Sequence, residues 1–285
     1  MAAIYGSEAY SPREIAQKVE RVGLVKARAP FLQTFMLGIL AGGFIGLGGL
    51  FHTVVICDPD LPLSVLRVLG GVAFATGYII AILAGAEVFT SNNLLAMTYA
   101  ARKITLRELL RNWSIVLIAN AIGAGGLALL FAFSGLATHG TGAVGEAAVL
   151  IAHAKSQLSF REAFVLGILG NLFVCIAVWM SLAGRSVTDS VVAVILPLTA
   201  LGAIGLEHIV ATMYFIPRGI LVGILHPELV PPGVVLSWTG LWKNAVPVVL
   251  GNIVGGSLMV ATVYHIIYRR WQPYDHQPEG ENGDN

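Results

Sequence analysis

The sequence predicts an all-α membrane protein of six transmembrane helices, arranged as a 3+3 inverted repeat with the second and fifth helices broken. Three observations carry that expectation. The 285-residue chain is 56% hydrophobic and only 12% charged, where a soluble protein carries roughly a quarter charged residues, and its mean hydropathy is +0.78. Six stretches reach the ~20 apolar residues that a membrane helix needs. Two of those stretches are too long for one straight span, and polar residues interrupt both.

The spans read in order as 31–56, 64–99, 112–134, 162–183, 187–225 and 244–268. The first opens on Phe31-Leu32-Gln33-Thr34-Phe35. In the second the interruption is Glu87-Val88-Phe89-Thr90-Ser91-Asn92-Asn93, and in the fifth it is Gly205-Leu206-Glu207-His208. Non-helical backbone at membrane depth is tolerated only where protein buries it or it lines a cavity, so both breaks are expected to face an interior pathway. Residues 1–30 form a flanking segment that lacks the features of a signal peptide. The channel domain then runs 31–268, and 269–285 is a tail whose last part, 271–285, has the polar composition of a disordered segment.

Orientation follows from Lys and Arg. One side holds Arg13, Lys18, Arg21, Lys26, Arg28, Arg102, Lys103, Arg107, Arg111, Arg185, Arg269 and Arg270; the other holds Arg67, Lys155, Arg161, Arg218 and Lys243. Twelve against five places both termini in the cytoplasm. The halves also match each other. Aligning 31–40 with 160–169 gives six identities in ten, including Leu37-Gly38-Ile39-Leu40 with Leu166-Gly167-Ile168-Leu169. Gly85-x-Glu87 corresponds to Gly205-x-Glu207, and Asn120-x-x-Gly123 to Asn252-x-x-Gly255. Three spans per half is an odd number, so the second half must insert upside down, with a site where the broken helices meet. The 33 glycines are expected to serve close helix packing.

Ionisable groups inside spans are rare and usually functional. Three lie deep in the spans: Glu87, Glu207 and His208. His208 lies centrally, unlike the other six histidines, and can offer a proton or a positive charge to a passing ion; the alternative is a ring bonded to a free backbone carbonyl at the break. The glutamates are expected to cap loose N–H groups. Thr90, Ser91, Asn92 and Asn93 supply hydroxyls and amides at the first break, where a restarting helix would aim its positive end into the pathway; simple capping by Thr90 is the other reading. Asn171 and Asn252 are expected to bond between helices. Hydrolytic motifs are missing, as are a phosphate-binding loop, a metal-ligand cluster and, with Cys57 and Cys175 alone, any disulfide framework. No enzyme activity, cofactor, metal or nucleic-acid partner is expected; the lipid bilayer is.

Several motifs then resemble one family. Ala86-Glu87-Val88-Phe89-Thr90-Ser91, Gly170-Asn171-Leu172-Phe173-Val174-Cys175-Ile176-Ala177-Val178-Trp179, and Gly205-Leu206-Glu207-His208 through Phe215-Ile216-Pro217 resemble the formate–nitrite transporter family. So do Val25-Lys26-Ala27, Gly184-Arg185-Ser186 and Gly251-Asn252-Ile253-Val254-Gly255-Gly256, so that the resemblance covers about 12–270. It implies an aquaporin-like fold in a homopentamer of an inner membrane, with one path per protomer for small monovalent anions such as formate, nitrite or hydrosulfide, and a proton alongside. By motif position Thr90 looks like the threonine of the first break and His208 like the central histidine. Phe74 and Phe89 resemble aromatic members of two apolar constrictions. Lys26 and Lys155 look like vestibule lysines, with Asn171 and Glu207 as their polar neighbours. Two positions depart from the formate-channel pattern: Tyr78 stands where leucine is typical, and Leu201 where phenylalanine is. Both are expected at a constriction, Tyr78 one helical turn beyond Phe74 on the same face. Glu207 is expected to orient His208 or tune its charge.

Overall fold

The computed structural model describes residues 9–57 and 60–270. These form α1 (Pro12–Arg28), α2 (Phe31–Ile56), α3 (Leu63–Leu83), the single turn α4 (Phe89–Asn92), α5 (Leu95–Ala100), α6 (Leu106–Phe133), α7 (Ala143–Ser156), α8 (Phe160–Ser181), α9 (Val187–Ile204), α10 (Ile209–Leu225) and α11 (Trp238–Arg270). Six of them, α2, α3, α6, α8, α9 and α11, are long and apolar enough to cross a membrane. Their outward faces are apolar: Leu130, Phe133 and Leu196 are about seventy per cent exposed. Backbone groups in lipid must be satisfied within the helix itself, and these helices do so behind an apolar surface. The chain is a multi-pass membrane protein.

The helices approach closely at glycines. A side chain on Gly123 of α6 would strike the Ile39 carbonyl of α2, and one on Gly255 of α11 would strike the Ile168 carbonyl of α8. Small residues at such crossings let backbones touch where no hydrophobic force drives helices together.

Helix ends extend past the apolar runs that define the spans. α6 starts at Leu106, six residues before 112, because the Thr105 hydroxyl caps the Glu108 N–H and Glu108 returns the bond. α11 starts at Trp238 because Ser237 caps Gly240. Arg107, Arg111 and Lys243 therefore sit in the first two turns of helices. Arg218 is a larger correction. The charge tally sets it on one side of the membrane, but Pro217 sits inside α10 without ending it, and Arg218 is fully buried there.

Two helices escape a hydropathy reading, α1 and α7, since neither is a long apolar run. α1 carries a capping box in which the Ser11 hydroxyl, and then its N–H, hold the Glu14 carboxyl below its usual range. Buried Glu20 then ties α1 to Lys103 (2.6 Å) and to Arg269 (2.9 Å), while the Tyr10 N–H reaches the Ala183 carbonyl. These contacts gather most of the basic ends onto one end of the bundle. α7 buries only small residues, Gly145, Ala148, Val149 and Ala152, against α10. The polar tail 271–285 lies outside the described residues.

Candidate functional site

Between α3 and α4 residues 84–88 leave the helix, and between α9 and α10 residues 205–208 do so. Gly85 and Gly205 make the exits with φ of 68° and 81°, a left-handed conformation that costs glycine nothing. The freed backbone is then satisfied by the same set of side chains at both places. Asn120 donates to the carbonyls of Gly38 and Glu87 and accepts from the Phe89 N–H. Asn252 donates to Gly167 and Glu207 and accepts from Ile209. The Glu87 N–H reaches Leu37 and the Glu207 N–H reaches Leu166. Each asparagine thus satisfies a carbonyl and an N–H that the break would otherwise leave orphaned at membrane depth, and ties them to a carbonyl of the neighbouring helix.

The glutamates follow the same pairing, and they do not cap N–H groups. Glu87 faces Lys26 at 3.2 Å and accepts from Asn92. Glu207 faces Lys155 at 2.7 Å and accepts from Thr212. Asn112 and Asn244 donate to the carbonyls of Lys26 and Lys155 respectively. The capping expectation failed because the N–H groups were already served by Asn120 and Asn252, while a lysine on each flanking helix was free to pair. A lone charge at membrane depth costs about 2.5–3.5 kcal/mol on insertion scales, and a carboxylate with a partner and a second donor recovers much of that.

His208 closes the second break. Its Nδ1 accepts from the Ala211 N–H at 3.2 Å, making the ring the cap of α10. It does not donate to a carbonyl, and Glu207, engaged by Lys155 and Thr212, does not orient it. A backbone N–H can only donate, so Nδ1 carries no proton and the neutral ring holds its proton on Nε2. Nε2 lies 2.7 Å from Thr90 Oγ1 and 2.8 Å from Tyr78 Oη, and the two hydroxyls also bond to each other. All three side chains are at most 1% exposed. The cluster contains three hydrogens, on Nε2 and on two hydroxyls, but Nε2 cannot accept. One hydroxyl hydrogen is therefore left without an acceptor inside the cluster.

A cavity of about 470 Å³ leads to this cluster from the α7 side. Lys155, Glu207 and Arg67 line it, with His52, Phe215, Phe74, Leu201 and His208. Phe74 and Leu201 are both under 5% exposed. The Phe74 and Tyr78 rings both meet the His208 ring edge-on, at centroid distances of 6.4 and 5.4 Å. Tyr78 thus points to the interior of the protomer, with its hydroxyl behind Phe74.

The structure brings Phe74, Tyr78, Thr90, Leu201 and His208 together, with Glu207 and Lys155 in the cavity above. Lys26 sits with Glu87 by the other break. Phe89 packs edge-on against Trp113 at 6.2 Å. Asn171 lies apart from both lysines: it donates to Asn93 Oδ1 and to the Asn252 carbonyl, at 2.8 and 2.7 Å, because α8 turns it toward the α4–α5 corner and α11. The first break also restarts as a single turn, α4, so the helix dipole expected there is short; the full-length helix restarts at the second break. Sequence reasoning missed His52, Phe215 and the asparagines Asn112 and Asn244. Asn112 and Asn244 stand at the same distance before the matched Asn120 and Asn252, and that spacing was their signal.

Comparison with known proteins points one way. A family described as Formate/nitrite transporter matches residues 13–266. The formate channel FocA of Escherichia coli strain K12 is 35% identical over 277 residues, covering 91% of this chain and 94% of that protein. The formate channel FocA of Haemophilus influenzae is 36% identical, covering 89% and 93%. A solved structure described as a pentameric formate channel with formate bound superposes with a TM-score of 0.76 at 34% identity, covering 84% of this chain and 97% of that one.

Proposed function

Because this chain belongs to the formate/nitrite transporter family, we propose that it carries small monovalent anions, formate foremost, across a membrane through one pathway in each protomer of a homopentamer. It is a member of a channel and transporter family and not of an enzyme family. Formate is favoured because the relatives reported above are formate channels, and the pentamer because the similar solved structure is one. Nitrite presents the same two-oxygen face and gives the family half its name; hydrosulfide is the smaller alternative. We read the matched contacts of Asn120 with Asn252, Glu87 with Glu207 and Lys26 with Lys155 as an inverted repeat of 31–133 and 160–268. We also read the basic end as cytoplasmic, so that both termini lie inside the cell and the membrane is the inner one. With Arg218 buried in a span, the tally of basic residues becomes twelve against four.

The observation that carries the proposal is the cluster of Tyr78, Thr90 and His208 at the foot of the cavity. A bare anion loses several kcal/mol of hydration in passing apolar side chains such as Phe74 and Leu201. The cluster offers what such an ion needs. Nε2–H is spent on fixing the two hydroxyls, and the one hydroxyl hydrogen left spare is a donor held in place before the anion arrives. The neutral imidazole holds the donor in place, while desolvation between the apolar side chains raises the anion's affinity for a proton, which water supplies, leaving hydroxide behind; a second proton on Nδ1 would displace the Ala211 N–H and undo the cap of α10. Lys155 adds less than an isolated lysine would, since Glu207 stands beside it.

Formate flux into liposomes tests the proposal. We expect His208→Phe to abolish or severely change passage with the oligomer intact, because phenylalanine fills the space and removes both the cap and the Nε2 donor. Wild-type uptake by an assembled His208→Phe protein at every pH would remove the histidine from the mechanism. Running formate, nitrite, lactate and hydrosulfide side by side at two pH values decides among substrates.

A further inference from the structure

Among the described residues the buried carboxylates each face a cation: Glu20 has Lys103 and Arg269, Glu87 has Lys26, and Glu207 has Lys155. Arg218 is the buried cation left over. It is fully enclosed in α10, and among the described residues it makes no ion pair. Its Nη1 donates to Thr53 Oγ1 at 2.7 Å and more weakly to Tyr214 Oη at 3.4 Å. The Thr53 hydroxyl hydrogen is committed to the Gly49 carbonyl, so threonine serves the arginine as an acceptor. Nε and Nη2 have no hydrogen-bond partner among the described residues.

Those two nitrogens are not an arbitrary pair. Nε–H and the neighbouring Nη2–H lie side by side in the guanidinium plane. That edge takes the two oxygens of a carboxylate in parallel bonds. Phe131, Tyr214 and Phe215 surround the guanidinium, their ring centres 5.2, 4.9 and 5.2 Å from Cζ. Aromatic faces ease the burial of a cation but bring no formal negative charge, and a buried charge without one is costly. Phe215 also belongs to the cavity wall, with Lys155 Nζ 5.6 Å from its centre and the His52 ring 5.8 Å away. The free edge of Arg218 is thus one aromatic ring removed from the cavity.

We propose that Arg218 is a second anion-binding site, separate from the His208 cluster, whose Nε/Nη2 edge holds a small monocarboxylate or a similar two-oxygen monovalent anion behind Phe215. Binding there needs no assumption about transport; only the site's place on the substrate route rests on the function proposed above.

The test uses the purified, detergent-solubilised oligomer and follows its thermal midpoint as formate or chloride is added at constant ionic strength. Wild type is expected to show a saturable rise with formate that exceeds the rise with chloride. The formate rise is expected to persist in His208→Phe and to vanish in Arg218→Met. Arg218→Lys keeps the charge and loses the planar edge, so it should respond to both anions without preferring formate; it also serves if Arg218→Met fails to assemble. No formate response in wild type, an undiminished response in Arg218→Met, an undiminished preference in Arg218→Lys, or a response lost in His208→Phe would each overturn the site. Liposome flux in His208→Phe is scored separately, so failure of the Arg218 site leaves the transport reading standing and the reverse also holds.

Discussion

Removing one oxygen atom asks whether the Tyr78 hydroxyl touches the crossing anion. In Tyr78→Phe the ring stays against His208 and the cavity keeps its shape. Nε2–H still has Thr90 Oγ1 at 2.7 Å, so no buried donor is stranded on the histidine, and the fold should lose no more than an ordinary hydrogen bond, about 0.5–1.5 kcal/mol. Transport should lose more. An anion stripped of water at the cluster would forfeit one hydrogen bond to a charged group, about 1.5–3 kcal/mol. At about 1.4 kcal/mol per factor of ten this is a roughly tenfold to hundredfold fall in formate flux at low substrate. A species already neutral when it reaches the cluster forfeits only a neutral bond, so the fall should shrink to about tenfold or less. The size of the effect therefore reports the charge state of the crossing species. The assay is formate flux in liposomes across a pH series, normalised to assembled protein. Flux within twofold of wild type at every pH would place the hydroxyl off the route. Tyr78→Leu and Leu201→Phe extend the test to size: we expect them to change the ratio of formate to larger-monocarboxylate flux more than the amount of folded protein, and unchanged ratios in both would remove these positions from selectivity.

Other outcomes follow from the same geometry. Asn252→Leu strands the Ile209 N–H and weakens satisfaction of the Gly167 and Glu207 carbonyls; at about 1–3 kcal/mol for each stranded buried group, the solubilised protein should melt markedly earlier than wild type, and an equal midpoint would contradict the role given to the amide. Gly123→Val should abolish folded protein, since its Cβ would strike the Ile39 carbonyl, while Gly125→Ala, which meets nothing within 4 Å, should be tolerated; expression with size-exclusion chromatography reads both. Glu14 has a carboxyl pKa lowered in the fold by the Ser11 hydroxyl and N–H. The stability it lends α1 is thus fully present above the ordinary carboxyl pKa of 4.5 and drains away as pH falls through the lower folded value. Protection of the first amides of α1, taken relative to the intrinsic exchange rate at each pH, should fall in acid in wild type and lose that pH dependence in Glu14→Gln.

Composition and hydropathy made the six spans legible, because a bilayer demands about twenty apolar residues of each and tolerates few charges. They failed on α1 and α7, whose short buried faces carry small or charged residues that no hydropathy window registers. The pairing of each glutamate with a lysine was hidden for another reason. Lys26 and Lys155 lie 61 and 52 residues from their partners, and nothing local marks such a pair. Arg218 was counted with the basic residues of one side although it falls within the fifth span, 187–225, because a tally of charges carries no information about depth. In a packed bundle the neighbours of Pro217 keep the helix running, so the charge is carried into the interior.

The two breaks share a frame and differ in chemistry, and that difference bears on the crossing point proposed above. Asn120 and Asn252, Glu87 and Glu207, Lys26 and Lys155 do the same work at both. One residue after the glutamate, however, stands Val88 in the first half and His208 in the second. Valine offers no side-chain acceptor, and the helix that restarts after it lasts one turn. Histidine offers Nδ1, and the helix that restarts behind it runs for 17 residues. The capping bond turns the other face of the ring, Nε2, away from α10 and toward Thr90 of the opposite half. The residue that stiffens one break thereby aims its remaining polar atom at the other. A change that weakens the cap without touching the hydroxyls should loosen the aim of Nε2 and disturb transport even though every donor in the cluster survives. Ala211→Pro is that change: it deletes the one N–H that holds Nδ1, at a position three residues into α10 where proline's fixed φ is still compatible with the helix. We expect an assembled Ala211→Pro protein with reduced and pH-shifted formate flux. An assembled variant with wild-type flux at all pH values would show that the cap does not set the aim of the ring.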